Sequence, residues 1–182
     1  GALVAKHQKS ITSLPGGCLI GARPVNYHLN ALKKLGMKYD IKKGYIHAKT
    51  KGKLKGAKIR FSKISVGATE NTIIAASLAN GITILRNCAI EPEIIDLINF
   101  LKSGGAKIKF IGKRTLKIEG IKSLESTSYS VMSDRIETGT FCVAACLTGG
   151  NLKIKNFDPK IIKMELSLLK KVGAKIKLAK KQ

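Results

Sequence analysis

ALKKLGMKYDI (residues 31–41), FLKSGGAKIKF (100–110) and LLKKVGAKIKL (168–178) are three versions of one segment, and their spacing decides the fold. The aligned glycines, Gly36, Gly105 and Gly173, stand at almost equal intervals along the chain. A second pair keeps the interval: GITILRN ends at Asn87, and GNLKIKN ends one such step further on at Asn156. The chain is therefore built from a repeating unit of that length.

Each unit reads the same way. An Ala-rich apolar helix comes first, NTIIAASLANG (71–81) in one unit and GTFCVAACLTGG (139–150) in the next. Both are apolar on nearly every side, which predicts that both are buried. A short strand follows, TILRN (83–87) or LKIKN (152–156). Next comes an amphipathic helix with a clear start: Glu91-Pro92-Glu93 in one unit, Asp158-Pro159 in the other. Ile94, Leu97, Ile98 and Leu101 then recur at helical spacing, and Gly104-Gly105 and Gly173 end the helices. Alternating strands close the unit, AKIKFIG (106–112) and TLKIEG (115–120). Such βαβαββ units, each with one wholly apolar helix, predict an α/β protein of the α+β type with helices inside and sheets outside. A doubly wound parallel sheet would need continuously apolar strands, and these alternate.

The bulk properties set the class. A chain of 182 residues with 44% hydrophobic and 25% charged residues is globular and buries roughly 70% of its unfolded surface. No apolar run approaches the ~18 residues of a membrane span, so no membrane partner is expected. The start, GALVAKHQ, has no signal-peptide pattern, which makes a reducing cytoplasm the default. It also lacks Met, as a fragment or processed product would. The four cysteines show no metal-ligand spacing with His7, His28 or His47, so no metal is expected. Cys142 and Cys146, four apart, are expected on one face of a buried helix. The net charge of +23 suits an anionic partner. Only five of the 34 basic residues are Arg, aromatics make up 5%, and lysines alternate with apolar residues in KIKF, KIKN and KIKL. That is the pattern of solvated strand faces, and it disfavours nucleic acid as the main ligand.

One stretch does not fit packing alone. In SLPGGCLIGARPV (13–25), Cys18 follows two glycines in a segment without helical or strand period, with Arg23 close behind. A guanidinium favours the thiolate and makes a thiol reactive. A glycine-hinged loop closes over a site and excludes water.

With KISVGATENT (63–72), AIEPEIID (89–96) and SDRIETGTF (133–141), in that order, this loop resembles the enolpyruvyl transferase family. Within it, the cysteine-bearing loop matches the branch acting on UDP-N-acetylglucosamine in peptidoglycan synthesis; the shikimate branch lacks that loop. The resemblance implies an inside-out α/β barrel, here truncated. It implies phosphoenolpyruvate and UDP-N-acetylglucosamine as substrates and no cofactor. Cys18 aligns with the cysteine that acts as acid toward phosphoenolpyruvate, forms an adduct with it, and is alkylated by fosfomycin. Arg23 aligns with the arginine on the phosphoenolpyruvate phosphate, which flanks the uracil with Pro24. Val25, Asn26 and Tyr27 continue the uracil-reading segment. Lys63, Ile64, Ser65 and Val66 align with the segment that holds the diphosphate. Glu91 aligns with an acidic residue near the cleft and Arg135 with one at the domain crossing. Asn26 stands where the family usually has Asp, Lys6 where Arg is common and Ala2 where Pro is.

The same resemblance implies a central fragment. Residues 1–131 correspond to about two repeat units of the half that carries the cysteine loop, and 132–182 to the first unit of the second half. A Lys-Asn pair that contacts phosphoenolpyruvate, an Asp that serves as base toward the sugar hydroxyl, and C-terminal arginines have no counterparts. The rest of the enzyme is then an expected partner, and the fragment alone is expected to be inactive. The alternative reading is a basic repeat module that binds an anionic partner such as nucleic acid.

Overall fold

The three repeat glycines share one backbone solution. In the computed structural model, which describes residues 1–16 and 24–178, φ is +100° at Gly36, +92° at Gly105 and +100° at Gly173. Each ends a helix through the same pair of hydrogen bonds. Gly36 N–H donates to Lys33 O at 2.9 Å and Met37 N–H to Leu32 O at 3.0 Å. Gly105 and Ala106 repeat this onto Lys102 and Leu101, and Gly173 and Ala174 onto Lys170 and Leu169, all at 3.0 Å. Glycine occurs at all three positions because this turn needs a left-handed residue, which a Cβ disfavours.

The chain divides into two units, Gly1–Ser130 and Val131–Gln182. The first runs α1 (Ala2–His7), β1 (Lys9–Ser13), α2 (Asn26–Lys34), β2 (Lys38–Lys42), β3 (Tyr45–Lys49) and β4 (Lys58–Arg60). It continues through α3 (Val66–Ser77), β5 (Ile82–Arg86), α4 (Pro92–Ser103), β6 (Lys107–Gly112) and β7 (Thr115–Glu119). The order α1-β1-α2-β2-β3 recurs as α3-β5-α4-β6-β7, with β4 heading the second copy. The first sheet is β1-β3-β2, antiparallel throughout. The second is β4-β5-β7-β6, in which only β4 and β5 run parallel.

Helices do lie inside the sheets in this unit. Ala68, Thr72, Ile73, Ala75 and Ala76 of α3 are fully buried, and the helix packs on α1, α2, α4 and β7. It begins at Val66, ahead of the apolar run that starts at Asn71, because Ser65 caps it. The Ser65 hydroxyl accepts from Ala68 N–H at 3.3 Å. Buried Thr72 and Ser77 donate to Ala68 O and Ile73 O, so the core helix carries polar side chains without orphaned hydroxyls. Leu85, Leu116 and Ile118 of the second sheet face this core while lysines line the outer face.

The second unit holds α5 (Arg135–Leu147), a 3-10 turn over Pro159–Ile162 and α6 (Lys163–Lys171). Two expectations fail here. Residues 152–156 form no strand, and neither does KIKL at 175–178. Alternation alone does not make a strand, since its backbone groups need a partner ladder, and the described part of this unit offers none. The apolar helix at 139–150 is not buried either: Phe141, Val143 and Leu147 are exposed and Thr138 is its one buried residue. Cys142 is half-buried and Cys146 exposed, so the expected packing pair does not form. Among the described residues of its unit, α5 packs chiefly on the 3-10 turn and α6, whereas its counterpart α3 packs on three helices and a strand.

Candidate substrate site

Three segments singled out in the sequence come together at one end of the first unit. Pro24 and Val25 lead into α2, whose first turn carries Asn26 and Tyr27. Val25 caps that helix without a side-chain acceptor, which leaves first-turn N–H groups available to an anion. Lys63 and Ile64 are exposed, and immediately before α3 Ser65 supplies the cap. The two helices pack side by side at their first turns. A Cβ on Gly67 would come within 3.3 Å of the His28 ring, so the glycine permits this approach. Asn71 Nδ2 lies 3.2 Å from His28 Nδ1 and ties the helices together.

Glu91 joins through α3. Thr69 Oγ1 donates to Ser65 O at 2.7 Å and accepts from Ala89 N–H at 3.1 Å. Ile90 N–H then donates to Glu91 Oε2 at 2.7 Å, just before α4 begins. One hydroxyl thus fixes the 89–91 segment against the start of α3. Arg135 opens α5 in the second unit, behind an Asp134 cap that accepts from Ile136 and Glu137 N–H at 2.7 and 3.1 Å. Cys18 and Arg23 lie outside the described residues.

Sequence reasoning missed His28, Thr69, Glu70 and Asn71. The last three stand inside the quoted KISVGATENT segment, one helical turn beyond the residues chosen, and that spacing was the available signal. His28 had none, since its partner Asn71 is far away in the chain. Burial pushes the His28 pKa down and favours the neutral ring. Burial and then the neighbouring Glu93 carboxylate push the Glu70 pKa up. Among the described residues no three His, Cys, Asp or Glu side chains are placed to hold a metal ion, and no helix is long and apolar enough to cross a membrane. The arrangement suits an extended anionic ligand: two helix N-termini and Lys63 on one side, a carboxylate held nearby.

Solved structures give the class. The enolpyruvyl transferase NikO from Streptomyces tendae superposes with a TM-score of 0.75 at 20% identity, over 98% of this chain and 43% of that one. An EPSP synthase from Acinetobacter baumannii superposes with a TM-score of 0.56 at 19% identity, over 75% of this chain and 31% of that one. At such identities the likeness defines the fold, which is that of the enolpyruvyl transferases. The family model described as EPSP synthase (3-phosphoshikimate 1-carboxyvinyltransferase) matches residues 2–182, and the chain belongs to that family. Within it, the chain is 60% identical over all 182 residues to the UDP-N-acetylglucosamine 1-carboxyvinyltransferase of Pelagibacter ubique, of which it spans 44%. It is 51% identical over 176 residues to the enzyme of the same name from Shewanella amazonensis, spanning 42% of it. The chain thus spans less than half the length of the curated relatives it matches.

Proposed function

We propose that this chain carries the cysteine loop and part of the nucleotide-sugar site of an enzyme that moves the enolpyruvyl group of phosphoenolpyruvate onto the 3'-hydroxyl of UDP-N-acetylglucosamine. This is the first committed step of peptidoglycan synthesis, and through it a contribution to cell wall growth, cell shape and division in the cytoplasm. The observation that supports it most is the meeting of the first turns of α2 and α3 with the Glu91 segment, in a chain 60% identical to a relative of that name.

In this reading the residues act as follows. Cys18 protonates the C3 methylene of phosphoenolpyruvate, and its thiolate then bonds to C2 to give a phospholactoyl thioether-type adduct; the same sulfur is the one fosfomycin alkylates. Arg23 neutralises the phosphate and, with Pro24, flanks the uracil. Asn26 and Tyr27 read the base, and Val25 beside them contacts the substrate. Lys63 and the amides of Ile64, Ser65 and Val66 hold the diphosphate, Glu91 supplies a carboxylate beside them, and Arg135 corresponds to the family's arginine at the domain crossing. A positioned acid and preorganised donors are the two contributions such chemistry needs from this wall. In this reading the 182 residues supply one part of the site, and turnover of both substrates also draws on groups that the resemblance places elsewhere in the enzyme.

The test exchanges this segment for the matching region of the Pelagibacter ubique relative and follows phosphate release with both substrates. The chimera should transfer at a rate comparable to the parent, and Cys18→Ala should lower the rate by roughly 10²–10⁴-fold. A folded chimera without activity, or one indifferent to Cys18→Ala, contradicts the assignment.

A further inference from the structure

The two sheets of the first unit are copies of one skeleton, and their outer faces differ in one row. In the first sheet Lys9 of β1, Lys49 of β3 and Lys38 of β2 stand at directly paired register positions. The same row in the second sheet is Ile82, Glu119 and Lys107. One row therefore carries three positive charges and its copy carries none net. Like charges directly opposite each other on neighbouring strands are destabilising, and strands lie only about 4.8 Å apart.

Among the described residues no ion pair relieves the lysine row: none of the three lysines has such a partner. The nearest carboxylate in the sheet, Asp40, is engaged by Lys42 at 2.9 Å. In the second sheet the middle position of the row is itself an acid: Glu119 stands between Ile82 and Lys107, and it also pairs with Lys117 at 2.8 Å. The lysine row also lines a depression of about 260 Å³, with His47, Ile11 and Tyr39 around it; the Asp40–Lys42 pair lies in the same lining and adds no net charge.

We propose that this depression binds a phosphate dianion, free or as the terminal group of a small ester, held by Lys9, Lys38 and Lys49. Ammonium groups are compact point charges with rotatable donors, which suits a tetrahedral oxyanion approached from three strands. Ile11 is more than half exposed beside the row and gives the organic part of an ester an apolar surface. The site lies on the outer face of the first sheet and is independent of the transfer reaction proposed above.

Thermal unfolding of the 182-residue chain tests this, with inorganic phosphate and glycerol phosphate each titrated against chloride at fixed ionic strength. The midpoint should rise with half-maximal effect at millimolar anion. A stronger response to inorganic phosphate assigns the free anion, and a stronger response to glycerol phosphate assigns the ester. Lys49→Glu, which recreates the row of the second sheet, should weaken the response at least tenfold without lowering the midpoint in chloride. Lys9→Gln combined with Lys38→Gln, which adds no acid, should weaken it likewise. Lys113→Glu, an equal change of charge in the exposed turn between β6 and β7, should leave the response intact. Equal losses in Lys49→Glu and Lys113→Glu would assign the effect to diffuse net charge and overturn the site. So would no response in the unaltered chain, or a short DNA duplex acting more strongly than either phosphate.

Discussion

Helices α3 and α5 are the same element in two settings. Ser65 caps one and Asp134, one repeat further on, caps the other; Thr69 and Thr138 each donate to their cap carbonyl at 2.7 Å. Each carries an apolar run, 73–76 in one and 141–147 in the other. Yet α3 is enclosed, whereas α5 leaves Ile136, Phe141, Val143 and Leu147 exposed. Local sequence makes the helix, and only neighbouring elements bury it. A hydrophobic helix in a repeat fold therefore reports what the complete assembly would cover, not what a given segment covers.

The largest expected effect breaks the comparison at its centre. Ile73 is fully buried, and Cys142, its counterpart in the next repeat, is half-exposed. Ile73→Ala should cost about 2–5 kcal/mol in urea unfolding, while Cys142→Ala should stay within about 0.5 kcal/mol. Similar losses at both would mean that α5 is packed after all.

Thiol reactivity reads the same contrast. Burial pushes the Cys88 thiol up to about 11, and it should be the last of the described cysteines to be alkylated near neutral pH. Exposed Cys146 should react first among them, with Cys142, raised by burial and by Cys146, between. The proposed role of Cys18 puts it ahead of all three. Mass mapping after limiting alkylation gives the order, and preferential labelling of Cys88 would refute it.

Smaller effects sharpen the picture. Ser65→Ala and Asp134→Ala should each cost about 1 kcal/mol, because a cap works at the helix end whether or not the helix body is covered. Smaller still is the effect at Glu70. Its pKa in the folded state is raised, so the folded state favours the proton, and the contribution of this group to stability falls as pH rises through the carboxylate range. Glu70→Gln should therefore raise the melting midpoint slightly at pH 7 and leave it unchanged well below that range.

Much of the first unit was legible because its signals are local. The glycine turns, the Glu91-Pro92 helix start and the period of Ile94, Ile98 and Leu101 each depend on residues within a few positions of one another. The failures at 152–156 and at Cys142 share a cause: pairing and burial belong to elements distant in the chain, and alternation or apolarity only makes them possible. The candidate site divides the same way. Lys63 to Val66 were found through the motif, whereas His28 and Asn71 meet only after α2 packs on α3. Thr69 was hidden for the opposite reason, since an apolar helix gave no sign of needing a hydroxyl, and this one bridges Ser65 to Ala89.

The most direct measurement of the central claim is amide shift mapping of the ¹⁵N-labelled chain titrated with UDP-N-acetylglucosamine. The largest changes should fall on Asn26 to His28 in the first turn of α2 and on Lys63 to Gly67 at the start of α3. Changes confined to the lysine-lined strand faces, or their absence from both helix starts at high ligand, would contradict it.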